Sequence, residues 1–132
     1  KVSEEDIRQA GLAITKRAYG VFRERGYQAE LLVAALRGAY HMTELAGAEL
    51  VMSIHPKSMA PFLTDEPARE TRIDRSVPAA VIERLSRMPE FVKAYEPEGM
   101  TPEEFIGFGV TQRTLAQFSE SGWKLIEATG NG

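Results

Sequence analysis

Arg37, His55 and Lys57 come shortly after two apolar runs of the sequence. The first run covers residues 29–35 and precedes Arg37, and the second covers residues 50–54 and precedes His55 and Lys57. Short apolar runs of this kind are typical of buried strands in a parallel sheet. Parallel α/β proteins bind ligands beyond the carboxyl ends of their strands, where loops and helix N-termini meet anions. Arg37 is therefore predicted to bind an anionic group such as a phosphate, with a surface arginine at a strand end as the alternative.

Small residues flank Arg37 in the sequence. Ala34, Ala35 and Gly38 leave room for a ligand, and a helix that is predicted to follow Gly38 supplies backbone donors. His41 falls one turn into that helix, within reach of Arg37, although a single helical histidine is more often a surface or packing residue. We expect Ala35 and His41 to neighbour a substrate that is bound at Arg37.

His55 and Lys57 occupy the corresponding position after the second run, so their side chains could face the same mouth of the sheet as Arg37. His55 is therefore a further possible neighbour of the substrate. A lysine at such a place could form a Schiff base, which requires a desolvated amine with a lowered pKa. Lys57 follows Pro56 in an apparent loop or first turn, which favours a solvated lysine instead.

Composition and motifs exclude several other classes of function. The chain has no cysteine, and its two histidines lack the spacing of a zinc site, so no metal site is predicted. A formal net charge of −3 leaves no cationic surplus with which to bind a nucleic acid. No stretch approaches the roughly 20 apolar residues that span a bilayer. We expect one globular, cytoplasmic segment that binds neither nucleic acid nor membrane.

Four elements are predicted to position these residues, in the order helix, strand, helix, strand. Ser3 and the acids that follow it are typical of a helix N-terminus, and Gly26 is placed to end that helix in the left-handed conformation. The run at 29–35 predicts a strand, residues 38–46 predict a second helix, and the run at 50–54 predicts a second strand. Strands that alternate with helices indicate a parallel sheet.

Helices without further strands are predicted for the rest of the chain. A short helix is expected at 57–63, and the charged stretch 65–75 could be either a contact surface or a solvated loop. Pro78 is predicted to open a further helix, Thr101 to cap another, and Thr111 to cap the last one. The side chains of this last helix that are expected in the core are Leu115, Phe118, Leu125 and Ile126, together with Trp123.

Two parallel strands do not make a stable sheet alone, because their outer edges present unpaired N–H and C=O groups. The sequence starts Lys1-Val2 without a methionine, so upstream strands of a longer protein could complete the sheet. Copies of the chain could also complete it. We therefore predict a homo-oligomer, or a complex with an upstream barrel half, and not a monomer.

Three stretches of the sequence carry a resemblance to a known family. They are Ala34-Ala35-Leu36-Arg37, Glu44-Leu45-Ala46-Gly47 and Ser53-Ile54-His55-Pro56. With them, the sequence from 28 to 56 resembles the last two βα units of the transaldolase family. The first helix, and residues 111–125, look like the helices that precede and follow those units. The resemblance covers nearly the whole chain but is dense only between residues 26 and 56.

The resemblance implies a fold and a site. The chain would be the helix-rich C-terminal portion of a (β/α)8 TIM barrel, with about two parallel strands plus C-terminal helices. Residues 1–63 would form the last βα units and residues 64–132 the C-terminal helices. Arg37 would match the arginine that contacts the phosphate of the sugar phosphate. Two departures are present: Ala35 stands where the family commonly has a phosphate-binding serine, and one extra residue follows Gly47 before the second strand's motif.

The resemblance also implies an activity. Transaldolases transfer a dihydroxyacetone unit between sugar phosphates of the pentose phosphate pathway through a lysine Schiff base, with no metal or organic cofactor. No residue of this chain matches that lysine or its carboxylates, which lie on earlier strands. We therefore expect the C-terminal part of a transaldolase-like transferase that retains the phosphate-binding end and is inactive alone. Two alternatives stay open: a non-catalytic module that binds itself or a partner, and a minimal aldolase that uses Lys57.

Overall fold

A computed structural model describes residues 1–63 and 70–130, apart from the side chain of Leu63. The chain divides into two compact units, Lys1–Pro97 and Glu98–Gly132. Helices account for 63% of the described residues. Of the charged stretch predicted at 65–75, residues 65–69 lie outside the described part. The division at residue 64 that the resemblance implies stays a prediction.

The first unit is mostly helical. Its described elements are, in chain order, α1 (Glu4–Arg25), β1 (Leu32–Val33), α2 (Ala39–Glu44), β2 (Val51–Met52), α3 (Pro56–Leu63), α4 (Ala79–Leu85) and α5 (Pro89–Tyr95). The long helix α1 packs against both α4 and α5. The predicted order of helix, strand, helix and strand is therefore present in the first half of the chain.

The ends of α1 follow from local side-chain chemistry. The Ser3 hydroxyl accepts a hydrogen bond from the Asp6 N–H at 3.1 Å, and the Asp6 carboxylate accepts one from the Ser3 N–H at 3.4 Å. This reciprocal pair is a capping box, which satisfies two donors at the start of the helix. Gly26 follows the last turn with a φ of 63°, in the left-handed region that favours glycine. Both predicted helix ends are confirmed.

β1 and β2 form a parallel ladder that is only two residues long. Leu32 pairs with Val51, and Val33 pairs with Met52. Successive residues of a strand point to opposite faces of a sheet. Val33 and Met52 pack against buried side chains of the core, whereas Leu32 is 63% exposed and Val51 is 43% exposed. One face of the sheet is therefore covered, and the other presents apolar side chains to solvent.

The predicted fold class, a portion of a (β/α)8 barrel, was wrong. Barrel strands are commonly about five or six residues long and lie between two neighbours, but the described residues contain one sheet of two very short strands in a helix-rich chain. The run at 29–35 is not extended throughout, because Ala35 has a φ of 57°. Among the residues that the structure describes, the run at 50–54 pairs with β1 alone. Apolar composition identified where strands could form, but strand length depends on partners that the described chain does not supply.

Two clusters of buried side chains stabilise the first unit, and α1 contributes to both. The clusters consist of Leu12, Leu45 and Ile73, and of Ala13, Leu85 and Phe91. Because Leu12 and Ala13 are consecutive, α1 packs on the sheet side and on the α4–α5 side at the same level. Burial of one leucine side chain contributes roughly 2–3 kcal/mol, so truncating Leu12 or Leu85 is expected to loosen a whole cluster.

An ion pair connects the start of α1 with α4. The Arg84 guanidinium donates two hydrogen bonds to the Asp6 carboxylate, at 2.9 Å from Nε and 2.8 Å from Nη2. The hydrogen bonds from Arg84 hold the pKa of Asp6 far below its usual range, although burial of the carboxylate opposes this shift. The same carboxylate therefore caps α1 and binds α4.

A second polar group connects α1 with α2 and with residues 70–75. The Lys16 ammonium, whose side chain is 8% exposed, donates to Glu44 at 3.2 Å. It also donates to the backbone carbonyls of Arg72 at 3.1 Å and Arg75 at 2.7 Å. The Arg72 guanidinium binds the other oxygen of Glu44 at 3.1 Å. These bonds hold residues 72–75, at the end of the charged stretch 65–75, against α1.

The second unit is built from helices alone in its described residues. They are a 3-10 helix (Pro102–Gly107), α6 (Gly109–Phe118), a π-helical turn (Ser119–Trp123) and α7 (Lys124–Gly130). Thr101 and Glu104 form a capping box at the 3-10 helix, which confirms the predicted cap. The cap predicted at Thr111 is wrong, because α6 already begins at Gly109.

Most large apolar side chains of the second unit are exposed. The side chains predicted to lie in the core, Leu115, Phe118, Trp123, Leu125 and Ile126, are all exposed, so this part of the prediction was wrong. Helical periodicity shows which residues share a face but does not show what covers that face. Among the described residues of both units, no helix has the length and hydrophobicity that a membrane span requires.

Candidate anion-binding site

A cleft of about 730 Å³ lies beyond the carboxyl end of β1. Its walls come from three places: the first half of α1, the loop that connects β1 to α2, and the start of α2. Three of the residues singled out in the sequence, Ala35, Arg37 and His41, line this cleft together. The structure thus brings Arg37 together with two of its three predicted neighbours.

The charge of the cleft is positive. Arg8 from α1 and Arg37 from the loop both line it, and none of the described residues that line it is an aspartate or glutamate. Three other clefts of the first unit differ, because carboxylates line each of them beside the cations. They include Glu30 in one, Asp74 in the second and Glu44 in the third. In a chain with a net charge of −3, the described lining of this cleft is locally cationic.

The loop between β1 and α2 has an unusual backbone. Ala35 has a φ of 57°, and it is the one non-glycine residue in the described chain with a positive φ. An alanine in this region is strained by about 1–2 kcal/mol relative to ordinary conformations. At Gly38, an added Cβ would lie 2.8 Å from Cδ1 of Tyr40, so only glycine allows the Tyr40 ring to approach this closely. These two residues direct the chain around the cleft.

His41 is buried at the floor of the cleft, with 8% of its surface exposed. Its Nδ1 accepts a hydrogen bond from the backbone N–H of Arg37 at 3.2 Å. Burial lowers the pKa of His41 below its usual value, a backbone hydrogen bond with Gly38 opposes the shift, and the positive charge of Arg37 adds to it. The neutral imidazole is therefore the favoured form, and it contacts the backbone of the residue predicted to bind the anion.

Tyr40 connects the start of α2 with α1. Its ring lies against the His41 ring, with the centroids 4.2 Å apart. The Tyr40 hydroxyl donates a hydrogen bond to the backbone carbonyl of Arg8 at 3.4 Å. The two rings thus bridge the walls that carry the two arginines.

The contribution of α1 was not predicted from the sequence. Arg8, Gly11 and Thr15 lie on one face of the helix because they are spaced by three and four residues. A Cβ at Gly11 would lie 3.8 Å from Nε2 of His41, which shows how closely this face approaches the imidazole. Gly11 gave no distinct signal in the sequence, because α1 also holds Gly20, where an added Cβ would meet nothing within 4 Å.

His55 and Lys57 do not line the cleft. His55 is exposed after β2, and its Nδ1 accepts a hydrogen bond from the Lys57 backbone N–H at 3.2 Å. Lys57 is also exposed, in the first turn of α3, so its amine lacks the desolvation that a Schiff-base nucleophile needs. The assignment of His55 as a substrate neighbour stays a prediction.

Within residues 1–63 and 70–130, no three histidine or carboxylate side chains converge as metal ligands would. Guanidinium groups, a neutral imidazole and a tyrosine are suited instead to bind and orient an anion. The cleft has hydrogen-bond donors but no placed lysine nucleophile among its lining residues. The described lining thus offers cationic donors to a ligand.

No protein-family model, curated protein or solved structure matches this chain.

Proposed function

We propose that the cleft binds the phosphate group of a sugar phosphate, and that the chain contributes this phosphate-binding part to a transaldolase-like transferase. The observation that carries the proposal is the placement of Arg8 and Arg37 on one cleft without a carboxylate among its described lining residues. The resemblance of Ala34-Ala35-Leu36-Arg37 to the transaldolase motif supports the choice of a sugar phosphate. The expected location in the cytoplasm belongs to the same proposal.

Arginine suits this role because its planar guanidinium presents paired N–H donors that match two phosphate oxygens. Arg8 and Arg37 are both exposed, so their attraction to an anion is screened by salt. Binding is therefore expected to be modest and to weaken as the ionic strength rises.

The chain by itself is expected to bind without catalysing transfer. Aldol transfer through a Schiff base needs a desolvated lysine close to the substrate. The Lys16 ammonium donates hydrogen bonds to Glu44 and to two backbone carbonyls. Lys57 is exposed and does not line the cleft. The proposed activity thus requires a lysine that the chain's described cleft does not hold.

The binding proposal is tested by calorimetric titration of the chain with fructose 6-phosphate and with sulfate. Arg37→Gln and Arg8→Gln are each expected to weaken binding roughly tenfold, since a hydrogen bond to a charged group contributes about 1.5–3 kcal/mol before screening. Arg87→Gln is the matched control, because Arg87 is exposed and does not line the cleft. Equal losses in all three variants would indicate a general charge effect and would contradict the proposal.

The absence of turnover is tested separately with fructose 6-phosphate and erythrose 4-phosphate as substrates. We expect no product from the purified chain. Activity that survives repurification would overturn this expectation. Borohydride trapping followed by peptide mapping would identify the lysine responsible, and a label on Lys57 would favour the minimal aldolase.

A second candidate function is a non-catalytic module that associates with itself. It is favoured by the outer face of the sheet, where the paired residues Leu32 and Val51 expose apolar side chains. Contiguous apolar surface that is exposed on a protein commonly marks a place where it associates. The two candidates are compatible, because the outer face and the anion cleft use different residues.

A further inference from the structure

We propose that His41 is a positioning residue that holds Arg37 in its anion-binding position only while the imidazole is neutral, so that acidification weakens anion binding in this cleft. The inference rests on the proposed function, because it concerns the regulation of the same site. The expected direction of this change in affinity with pH is unusual. A histidine beside an anion normally strengthens binding when it gains a proton, since it then adds a positive charge.

The geometry of one hydrogen bond carries the inference. The Arg37 backbone N–H donates to Nδ1 of His41 at 3.2 Å. A neutral imidazole has one acceptor nitrogen, whereas an imidazolium has two N–H groups and no acceptor. Protonation therefore replaces this hydrogen bond by two donors that face each other. The Arg37 backbone would lose this hydrogen bond to α2 at that moment.

The surroundings of His41 make this bond important for the loop. The imidazole is buried and lies against the Tyr40 ring, so it cannot turn toward solvent without disturbing the floor of the cleft. Ala35, two residues before Arg37, has a strained backbone. A strained loop persists only where other contacts hold it, and the bond to His41 is such a contact.

The cations near His41 also disfavour an imidazolium, whereas a backbone hydrogen bond with Gly38 favours it. α1 contributes Arg8 to the cleft and the loop contributes Arg37, and both are cations. On α2 itself, Tyr40 donates to the carbonyl of Arg8, and Glu44 is bound by Lys16 and Arg72. α3, which packs against α2, carries Lys57 and follows His55. None of the described residues lining the cleft is a carboxylate that could pair with the imidazolium.

The first measurement is the affinity for sulfate between about pH 8 and about pH 5, a range that spans the usual histidine pKa. Sulfate is the probe because its charge is constant over this range, unlike that of a phosphate monoester. Affinity is expected to fall about tenfold on acidification, which corresponds to the net loss of one hydrogen bond. The midpoint is expected below the ordinary imidazole value, because His41 favours its neutral form.

Three variants separate positioning from other effects. His41→Asn keeps an acceptor near the place of Nδ1 but does not titrate, so it is expected to bind sulfate at all these pH values. His41→Leu removes the acceptor and is expected to bind weakly throughout. His55→Asn is the control, because His55 also accepts a backbone N–H but lies outside the cleft, and it is expected to keep the pH dependence of the unmodified chain.

The hydrogen bond is also observable without any ligand. The amide resonance of Arg37 is expected to shift in NMR spectra with the same midpoint as the His41 ring protons. An Arg37 amide that does not follow the His41 titration would overturn the inference even if sulfate does not bind.

The outcomes distinguish the inference from the proposed function. Sulfate binding that depends on Arg37 but strengthens at low pH would overturn the positioning role and leave the anion site intact. An unchanged sulfate affinity in Arg37→Gln would overturn both the positioning role and the anion site. A fall in affinity that disappears in His41→Asn and persists in His55→Asn supports the inference.

Discussion

Ala35 combines a strained backbone with a side chain on the cleft wall. Its φ of 57° is disfavoured for alanine by about 1–2 kcal/mol, and it lines the cleft beside Arg37. The resemblance proposed from the sequence implies a serine hydroxyl at this position, which would add a hydrogen-bond donor to the cleft wall.

We predict that Ala35→Ser strengthens binding of sulfate by roughly fivefold, because one added hydrogen bond has a net value of about 1 kcal/mol. Titration of the variant at a fixed salt concentration measures the change. Ala29→Ser is the control, since Ala29 lies before β1 and lines a different cleft. An equal rise in both variants, or none in Ala35→Ser, would count against the assigned anion position.

Asp6 is predicted to make the free energy of unfolding depend on pH. The hydrogen bonds from Arg84 lower the pKa of this carboxyl, so the folded state favours its ionised form. Its contribution to stability is complete above the unfolded pKa of about 4 and is lost as the pH falls toward the lower folded value. Asp6→Asn should therefore be less stable than the unmodified chain at neutral pH, with a difference that shrinks in acid. Urea unfolding at several pH values checks this, and Glu4→Gln, an exposed acid in the same turn, should change stability less, because the Arg84 guanidinium binds Asp6.

At the scale of elements, the turn between α2 and β2 depends on Gly47. Its φ is 86°, and a Cβ at this position would lie 2.6 Å from Cγ2 of Thr71. Gly47→Ala is predicted to destabilise the chain by about 2–3 kcal/mol, because strain and a clash act together. Thermal or urea unfolding measures the loss.

Gly20→Ala is the matched control. Gly20 lies inside α1 with open space around it, and alanine there should stabilise the helix by about 0.5–1 kcal/mol. A tolerated Gly47→Ala would show that Thr71 does not pack on this turn.

The elements that the sequence predicts well are those with local causes. Ser3 and Gly26 set the ends of α1 by capping chemistry within a few residues, and Thr101 does the same for the 3-10 helix. The length of the strands and the exposure of Phe118 depend on what packs beside them. The barrel prediction was wrong because it assumed neighbours for each strand.

The residues of the candidate site also differ in whether local sequence could reveal them. Arg37 and His41 were predicted because both lie close to the end of an apolar run. Arg8 was missed because it is 29 residues away from Arg37 in the sequence, and only the packing of α1 beside the loop brings both to one cleft. Tyr40 was missed because its bond to the Arg8 carbonyl depends on that same packing.

At the scale of the whole molecule, apolar surface is the main unexplained property. The outer face of the sheet carries Leu32 and Val51, and the second unit exposes Phe118 and Trp123. Exposed apolar patches on this scale commonly mark places where proteins associate. The prediction of a non-monomeric chain therefore stays in place and gains a specific surface on the first unit.

We predict that the chain forms assemblies larger than a monomer in light scattering, through a second copy that covers the outer face of the sheet. Leu32→Lys should shift the distribution toward the monomer, because a charge at the centre of an apolar interface must be desolvated. Met59→Lys is the control, since Met59 is a similarly apolar, exposed residue on α3. A monodisperse monomer before any substitution would contradict the prediction.

The bonding of Lys16 has a consequence for chemical reactivity. Its ammonium group donates to one carboxylate and two backbone carbonyls, and its side chain is almost fully buried. An amine attacks an acylating reagent only after it loses a proton and exposes its lone pair. The Lys16 nitrogen cannot reach a reagent without breaking these bonds, whereas Lys57 is exposed. Amine-directed labelling of the folded chain should therefore leave Lys16 unmodified until α1 separates from residues 72–75. Acylation of Lys16 would then report that separation.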